Sequence, residues 1–174
     1  MITIISGTNR PRANARLIAD IYAGLLHERG AENQILDLVD LPIDFIQTAL
    51  YKNCGQDETF NYLAQLLEQS EKVVFIIPEY NNSFPGVLKA FIDGLEYPNA
   101  LRHKKAALVG ISTGTQGGAI AISHFTDVLH YLGVHVLATK PRLMFIHKNL
   151  SEGQLTNPLY LQLLQEQADQ FISF

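Results

Sequence analysis

Short apolar runs alternate along the chain with longer segments whose apolar residues recur every three or four positions. A run such as Val73–Ile77, β-branched and followed by proline, is typical of a buried parallel strand. Helical spacing appears instead in the stretch with Leu17, Ile18, Ile21, Leu25 and Leu26. We predict strands over Ile2–Ser6, Asn33–Leu38, Val73–Ile77, Ala106–Ser112 and Val134–Thr139. We predict helices over Ala13–Arg29, Asp57–Ser70, from Pro85 onward, Gly118–Gly133 and Leu159–Phe174.

Five strands that alternate with five helices predict a parallel sheet covered by helices on both faces. The strand number and the length of 174 residues favour the flavodoxin-like order 2-1-3-4-5, which makes a three-layer α/β sandwich. No repeat or linker interrupts the pattern, so we expect a single domain over residues 1–174. The segment Val39–Gln56 is longer than most connections and suggests a lid or an interface arm.

Composition and charge exclude several classes of partner. Hydrophobic residues make up 47% of the chain and charged residues 17%, as in ordinary globular proteins. The net charge of −4 offers no general attraction to nucleic acid or to an anionic membrane. No apolar run approaches membrane-spanning length, and the single Cys54 fits a reducing compartment, so we expect a cytoplasmic protein. The histidines form no HxxxH or HExxH pair, and we predict no metal site.

Polar loops follow the first, third and fourth predicted strands, which in a doubly wound sheet open at one edge. The first loop is SGTNRPRAN, residues 6–14, and it runs into the start of a helix. Free backbone amides at that helix start favour an anion, and Thr8, Arg10 and Asn14 add donors. The loop contains neither GxGxxG nor GxxxxGK[ST], so a standard dinucleotide or Walker site is not predicted.

The other two loops add features that suit a flat ligand. PEYNNS, residues 78–83, exposes Tyr80 just beyond the end of a strand. STGTQGG, residues 112–118, combines hydroxyl and amide donors with glycines that let backbone approach a ligand closely. Each loop alone also has an explanation as an ordinary turn or connection, but three such loops at one edge predict a binding site.

In order and spacing, SGTNRPRAN, PEYNNSFPGVLKAFIDGL and GISTGTQGGAIA resemble the signature loops of the NAD(P)H-dependent FMN reductase family. The resemblance covers Met1 to about Thr139, and PEYN with the following serine and PGVLK is its most specific part. It implies a flavodoxin-like fold, FMN as cofactor, and NADPH or NADH as electron donor. It also implies ping-pong hydride transfer through FMN N5 to a quinone, azo compound, free flavin or similar small acceptor. A homodimer or tetramer is implied as well, with Leu41–Ile46 and Ala90–Tyr97 as candidate contact surfaces.

The resemblance assigns cofactor-binding residues in each loop. The FMN phosphate would contact Thr8, Arg10 and Asn14. The isoalloxazine and ribityl groups would lie against Pro78, Glu79, Tyr80 and Asn81. The other side of the ring would be bordered by Ser112, Thr113, Gly114, Gln116, Gly117 and Gly118. Backbone amides of the last two loops would stabilise the reduced ring, so no catalytic acid or base is predicted.

Two positions depart from the family pattern where the phosphate would bind. Small hydroxyl residues are usual there, but this chain has Ala13 and Ala15. Arg12, where a small residue is more usual, offers a charge in their place. We therefore expect FMN to bind more weakly than is typical. In the second loop Asn82 replaces the family's glycine, which is tolerable because asparagine accepts left-handed backbone angles.

Two other functions stay open from the sequence. One is a flavodoxin-like electron carrier, and the other is a non-catalytic binding protein with a flavin fold. NADPH oxidation with added FMN and a quinone would separate them from a reductase. Hydrolase chemistry is disfavoured because no G-x-S-x-G elbow is present.

Overall fold

The structure is a computed structural model, and it describes residues 1–174. The helices are α1 (Asn14–Glu28), α2 (Phe45–Thr48), α3 (Glu58–Glu68), α4 (Gly86–Gly94), α5 (Ala119–Tyr131) and α6 (Pro158–Ser173). The strands are β1 (Ile2–Ser6), β2 (Asn33–Asp37), β3 (Lys72–Pro78), β4 (Lys105–Ile111), β5 (His135–Val136), β6 (Arg142–Leu143), β7 (Leu150–Ser151) and β8 (Gln154–Leu155). All predicted elements except the fifth strand agree with these bounds to within two residues.

The parallel strands lie in the order β2-β1-β3-β4-β5, which confirms the predicted flavodoxin-like topology. In the register of the sheet, Ser6 at the end of β1 lies beside Ile76 of β3. Pro78 at the end of β3 lies beside Ile111 at the end of β4. The carboxyl ends of these three strands therefore share one edge, and the loops that follow them emerge there.

The two faces of the sheet carry separate apolar cores, as a three-layer α/β sandwich requires. Along β3, Phe75 and Ile77 belong to the core beneath α3, α4 and α5, whereas Val74 and Ile76 belong to the core beneath α1 and α6. Successive strand residues point to opposite faces, so a strand buried on both sides is apolar at every position. Full burial of each such side chain contributes about 1.5–3 kcal/mol.

The fifth strand differs from the prediction. A continuous strand over Val134–Thr139 was expected, but β5 ends at Val136 and the chain pairs with β4 again only as β6. Over the gap, the side chain of Gln167 from α6 donates through Nε2 to the carbonyl oxygens of Leu108 (2.9 Å) and Thr139 (2.8 Å). A buried side chain thus replaces part of the missing ladder, which local apolar patterning cannot reveal.

The segment predicted as a lid or arm packs on the core beside α3. It contains α2 and two short 3₁₀ turns. Phe45 of α2 is buried and its ring stacks on Phe60 of α3 at a centroid distance of 6.0 Å. Ile43 and Ile46 of the same segment remain exposed. None of the helices in the structure combines the length and apolar character needed to cross a membrane.

Candidate functional site

The three predicted loops meet in one cleft at the carboxyl edge of the sheet. The cleft has a volume of about 530 Å³, within the range of small-molecule sites. It is lined by Thr8, Arg10, Pro11, Arg12, Ala13, Asn14, Ala15, Pro78, Glu79, Tyr80, Ile111, Ser112, Thr113, Ile146 and His147.

One end of the cleft is the start of α1, where donors lie without acceptors. Ala13 is the N-cap residue, no side chain caps the helix, and its first turn contains no acidic residue. The backbone amides of residues 12–15 donate to no protein acceptor. Arg10 and Arg12 line the same end, and neither forms an ion pair. The helix dipole, the free amides and two guanidinium groups together favour a doubly charged anion such as a phosphate.

The first loop packs directly against the backbone of β3. The Gly7 amide donates to the Ile76 carbonyl at 2.9 Å. A Cβ atom at Gly7 would lie only 2.6 Å from that oxygen, so the position accepts no side chain. Beyond it, Thr8 is buried, and its hydroxyl lies 2.9 Å from the hydroxyl of Tyr80. Glycine at position 7 thus brings the first loop close enough to touch the second.

The second loop forms a tight hairpin, here called the PEYNNS hairpin (residues 78–83). Tyr80 and Ser83 exchange both backbone hydrogen bonds, at 2.8 and 3.0 Å. Asn81 and Asn82 between them have φ of 49° and 63°, the left-handed pair that a two-residue type I′ turn requires. The asparagine at position 82 therefore adopts the backbone angle expected for it.

Glu79 joins the PEYNNS hairpin to the third loop. Its amide donates to the carbonyl of Ile111, and its Oε2 accepts from the Gly118 amide at 3.2 Å. Gly118 is the N-cap of α5, so the carboxylate also meets the positive end of that helix. The Gly118 amide is therefore already bonded and differs from the free amides of residues 113–116 in the same loop.

Ser112 shapes the third loop. Its Oγ accepts from the Gly117 amide and donates to the Gly114 carbonyl, both at 3.0 Å. Gly117 and Gly118 are buried with φ of 60° and 75°, and a Cβ atom at Gly117 would lie 2.8 Å from that of Arg142. These two glycines serve the packing of the loop against β4 and β6.

The predicted binding residues divide into two groups. Those that line the cleft are Thr8, Arg10, Asn14, Pro78, Glu79, Tyr80, Ser112 and Thr113. Those in the same loops but outside the cleft lining are Asn81, Gly114, Gln116, Gly117 and Gly118. The binding roles of both groups stay predictions.

The sequence did not point to the fourth wall of the cleft, formed by Ile146 and His147. This wall follows β6 and is held against the third loop by two backbone hydrogen bonds. Phe145 donates to Gly114 at 3.1 Å, and Ile146 donates to Ser112 at 2.9 Å. No local signal marks these residues, because their position depends on the interrupted fifth strand.

The strand order and the cleft at its carboxyl edge define a flavodoxin-like α/β protein. The model of the NADPH-dependent FMN reductase family matches residues 1–144, and the chain belongs to this family. The membership confirms the family inferred from the three loops, with FMN and a nicotinamide nucleotide as its cofactors.

Individual relatives agree with the family. The chain is 32% identical over 117 residues to a 2-hydroxy-1,4-benzoquinone reductase from Burkholderia sp., an alignment covering 62% of this chain and 63% of the relative. It is 34% identical over 106 residues to an NAD(P)H-dependent FMN reductase from Pseudomonas aeruginosa, covering 58% and 57%. The chain therefore spans less than two thirds of the length of these two relatives.

A solved structure resembles nearly the whole chain. It is FerB from Paracoccus denitrificans, a flavoenzyme NAD(P)H:(acceptor) oxidoreductase. The TM-score is 0.81 at 25% identity, with 99% of this chain and 94% of FerB covered.

The residues of the cleft fit FMN chemically. Unpaired amides and arginines at the α1 end suit its phosphate, and the apolar surfaces of Pro78, Tyr80 and Ile111 suit a flat ring. The free amides of residues 113–116 are donors of the kind that ring oxygen and nitrogen atoms accept.

Proposed function

We propose that the chain is an NAD(P)H-dependent oxidoreductase that holds FMN in this cleft and reduces a small acceptor such as a quinone, an azo compound or free flavin. The observation that supports this most directly is the meeting of three loops that bring unpaired donors and apolar and aromatic surface into one cleft. The names of the relatives and of FerB agree with this class of reaction.

The α1 end of the cleft would hold the phosphate. Arg10 and Arg12 supply charge, and the amides of residues 12–15 supply fixed donors. Asn14 lines the same end. The Thr8 hydroxyl, in contrast, is shared with Tyr80 and with the amide of Arg10 at 3.3 Å. We therefore assign Thr8 mainly to holding the loops together.

The other end would hold the ring. Pro78 and Tyr80 would lie along it, with Ser112 and Thr113 across the cleft. Bound FMN would supply the redox chemistry between NAD(P)H and the acceptor, with hydride transfer through its N5 atom and the two partners using one site in turn. The protein orients the reactants and directs backbone dipoles at the ring. No side chain is assigned as acid or base.

A flavin titration tests the proposal most directly. The purified chain is incubated with FMN, and quenching of flavin fluorescence gives the dissociation constant. NADPH and NADH oxidation is then followed with and without a quinone. A reductase binds FMN and oxidises at least one nucleotide when the quinone is present. Flavin binding without nucleotide oxidation would indicate an electron carrier, and neither flavin binding nor turnover would indicate a non-catalytic protein.

We also propose that the chain forms a homodimer through α4 and α5. An apolar groove of about 440 Å³ lies between these helices and is lined by Ile92, Leu95 and Val128. Tyr97 and Tyr131 flank it and are 69% and 80% exposed. Exposed aromatic side chains around an apolar groove are typical of subunit interfaces. Light scattering at micromolar concentration should give twice the monomer mass, and a monomer would refute this part.

A further inference from the structure

Ser83 and His124 form a contact that the cofactor assignment leaves unexplained. Ser83 Oγ and His124 Nδ1 lie 3.0 Å apart, a hydrogen-bond distance. Ser83 ends the turn of the PEYNNS hairpin, whereas His124 lies on the exposed side of α5, 41 positions later. The contact therefore connects the hairpin to a helix outside the cleft.

The PEYNNS hairpin is held at its base by Glu79, which bonds to the third loop, and Phe84 directly after it packs on Phe125 of α5 at a ring-centroid distance of 5.1 Å. Its turn has fewer contacts. Asn81 and Asn82 are exposed, and the turn itself contains only the two backbone hydrogen bonds between Tyr80 and Ser83. A short two-stranded hairpin is at best marginally stable by itself. One side-chain contact secures each end of the turn, Tyr80 to the first loop and Ser83 to His124.

We propose that His124 is a positioning residue that holds the PEYNNS hairpin on α5 through Ser83 and thereby raises the affinity for FMN. The inference rests on the proposed flavin site, because the hairpin carries Tyr80 into the cleft. His124 itself does not line the cleft, so it acts through Ser83 and not on the ligand.

Two substitutions of His124 separate this role from a general effect on α5. His124→Ala removes the hydrogen-bonding atom but places the best helix former in α5. His124→Asn keeps a polar atom close to the place of Nδ1 but is a poorer helix former. If His124 matters only for the helix, alanine is the better replacement. If His124 holds the hairpin, asparagine is the better replacement.

Amide hydrogen exchange of the protein without FMN is the first measurement. The Tyr80 and Ser83 amides should exchange roughly 2- to 12-fold faster in His124→Ala, the factor that one neutral hydrogen bond provides. His124→Asn should stay close to the wild type. Ser83→Ala should match His124→Ala, and the double variant should exchange no faster than either. His130→Asn is the control, since His130 lies on the same helix, is exposed and makes no side-chain hydrogen bond.

The dissociation constant for FMN is the second measurement, and it should rise by a similar factor in His124→Ala and Ser83→Ala only. The proposal is overturned if the Tyr80 and Ser83 amides of His124→Ala exchange at the wild-type rate. It is also overturned if these amides exchange more slowly in His124→Ala than in His124→Asn. If the wild type binds no FMN, the proposed function fails and the affinity part of this inference fails with it. The exchange measurement still decides whether His124 holds the hairpin.

Discussion

Ala13 is the position where one added hydroxyl group tests the phosphate end of the cleft most directly. It is the N-cap residue of α1, lines the cleft, and has the extended backbone angles (φ −70°, ψ 143°) of a normal cap. The helix has no side-chain cap at present. Serine at this position needs no backbone change and is among the preferred N-cap residues.

Ala13→Ser has two effects of known size. In the protein without ligand, the serine oxygen caps α1 and adds about 0.5–2 kcal/mol to the free energy of unfolding. With FMN bound, a hydroxyl that donates to the phosphate contributes about 1.5–3 kcal/mol, because the acceptor is charged. The phosphate competes for the amide that the serine caps, which removes about 1 kcal/mol. The net gain of about 0.5–2 kcal/mol corresponds to roughly 2- to 30-fold tighter FMN binding.

Fluorescence titration with FMN measures the affinity, and urea unfolding of the protein without ligand measures the cap. Ala13→Gly is the control, since glycine is an acceptable N-cap without a hydroxyl group. It should not tighten binding. If Ala13→Ser stabilises the protein without ligand but leaves FMN binding unchanged or weaker, the phosphate does not lie at the start of α1.

Three further substitutions test other parts of the structure. Tyr80→Phe removes the hydrogen bond to Thr8, so FMN titration should show roughly 2- to 12-fold weaker binding. Unchanged affinity would mean that this contact does not order the cleft. Gln167→Met leaves the buried carbonyl oxygen of Leu108 and the partly buried one of Thr139 without this donor, but it also removes the buried, unpaired Oε1 of Gln167. We therefore expect urea unfolding to show a net loss of about 1–3 kcal/mol in the free energy of unfolding. Hydrogen bonds from the Phe60 amide, the larger cause, and from the Thr48 hydroxyl lower the pKa of Asp57. The stability that this carboxylate gives the folded protein is therefore present above the usual carboxyl pKa and is lost as the pH falls below about 4. Urea unfolding between pH 2 and 7 should therefore show a smaller acid loss for Asp57→Asn, and an identical pH profile would contradict this assignment.

Much of the fold was predictable because its signals are local. The run Val73–Ile77 is apolar at every position, which indicates a strand buried on both faces. Alternation of such strands with helices restricts the sheet to a few parallel topologies, and the observed order is one of them. The three polar loops were predictable for the same reason, since each directly follows a strand.

The roles of individual loop residues were less predictable. Gly117 was predicted to border the ligand, which stays a prediction, and the structure adds that it packs against Arg142, which lies far along the chain. Thr8 was predicted as a phosphate donor, and the structure shows its hydroxyl shared with Tyr80. In both cases the partner belongs to a different loop or strand, and nothing in the residue's own neighbourhood identifies it.

Local sequence was thus sufficient to restrict the strand order to a few parallel topologies and to identify the three loops and the family, since each depends on apolar periodicity or on contiguous motifs. Only the tertiary structure showed the interrupted fifth strand, the wall formed by Ile146 and His147, and the contact of Ser83 with His124. These features depend on contacts between segments distant in sequence, such as the hydrogen bond from Phe145 to Gly114. Such contacts form only when the whole sheet is assembled, so no short stretch of residues encodes them.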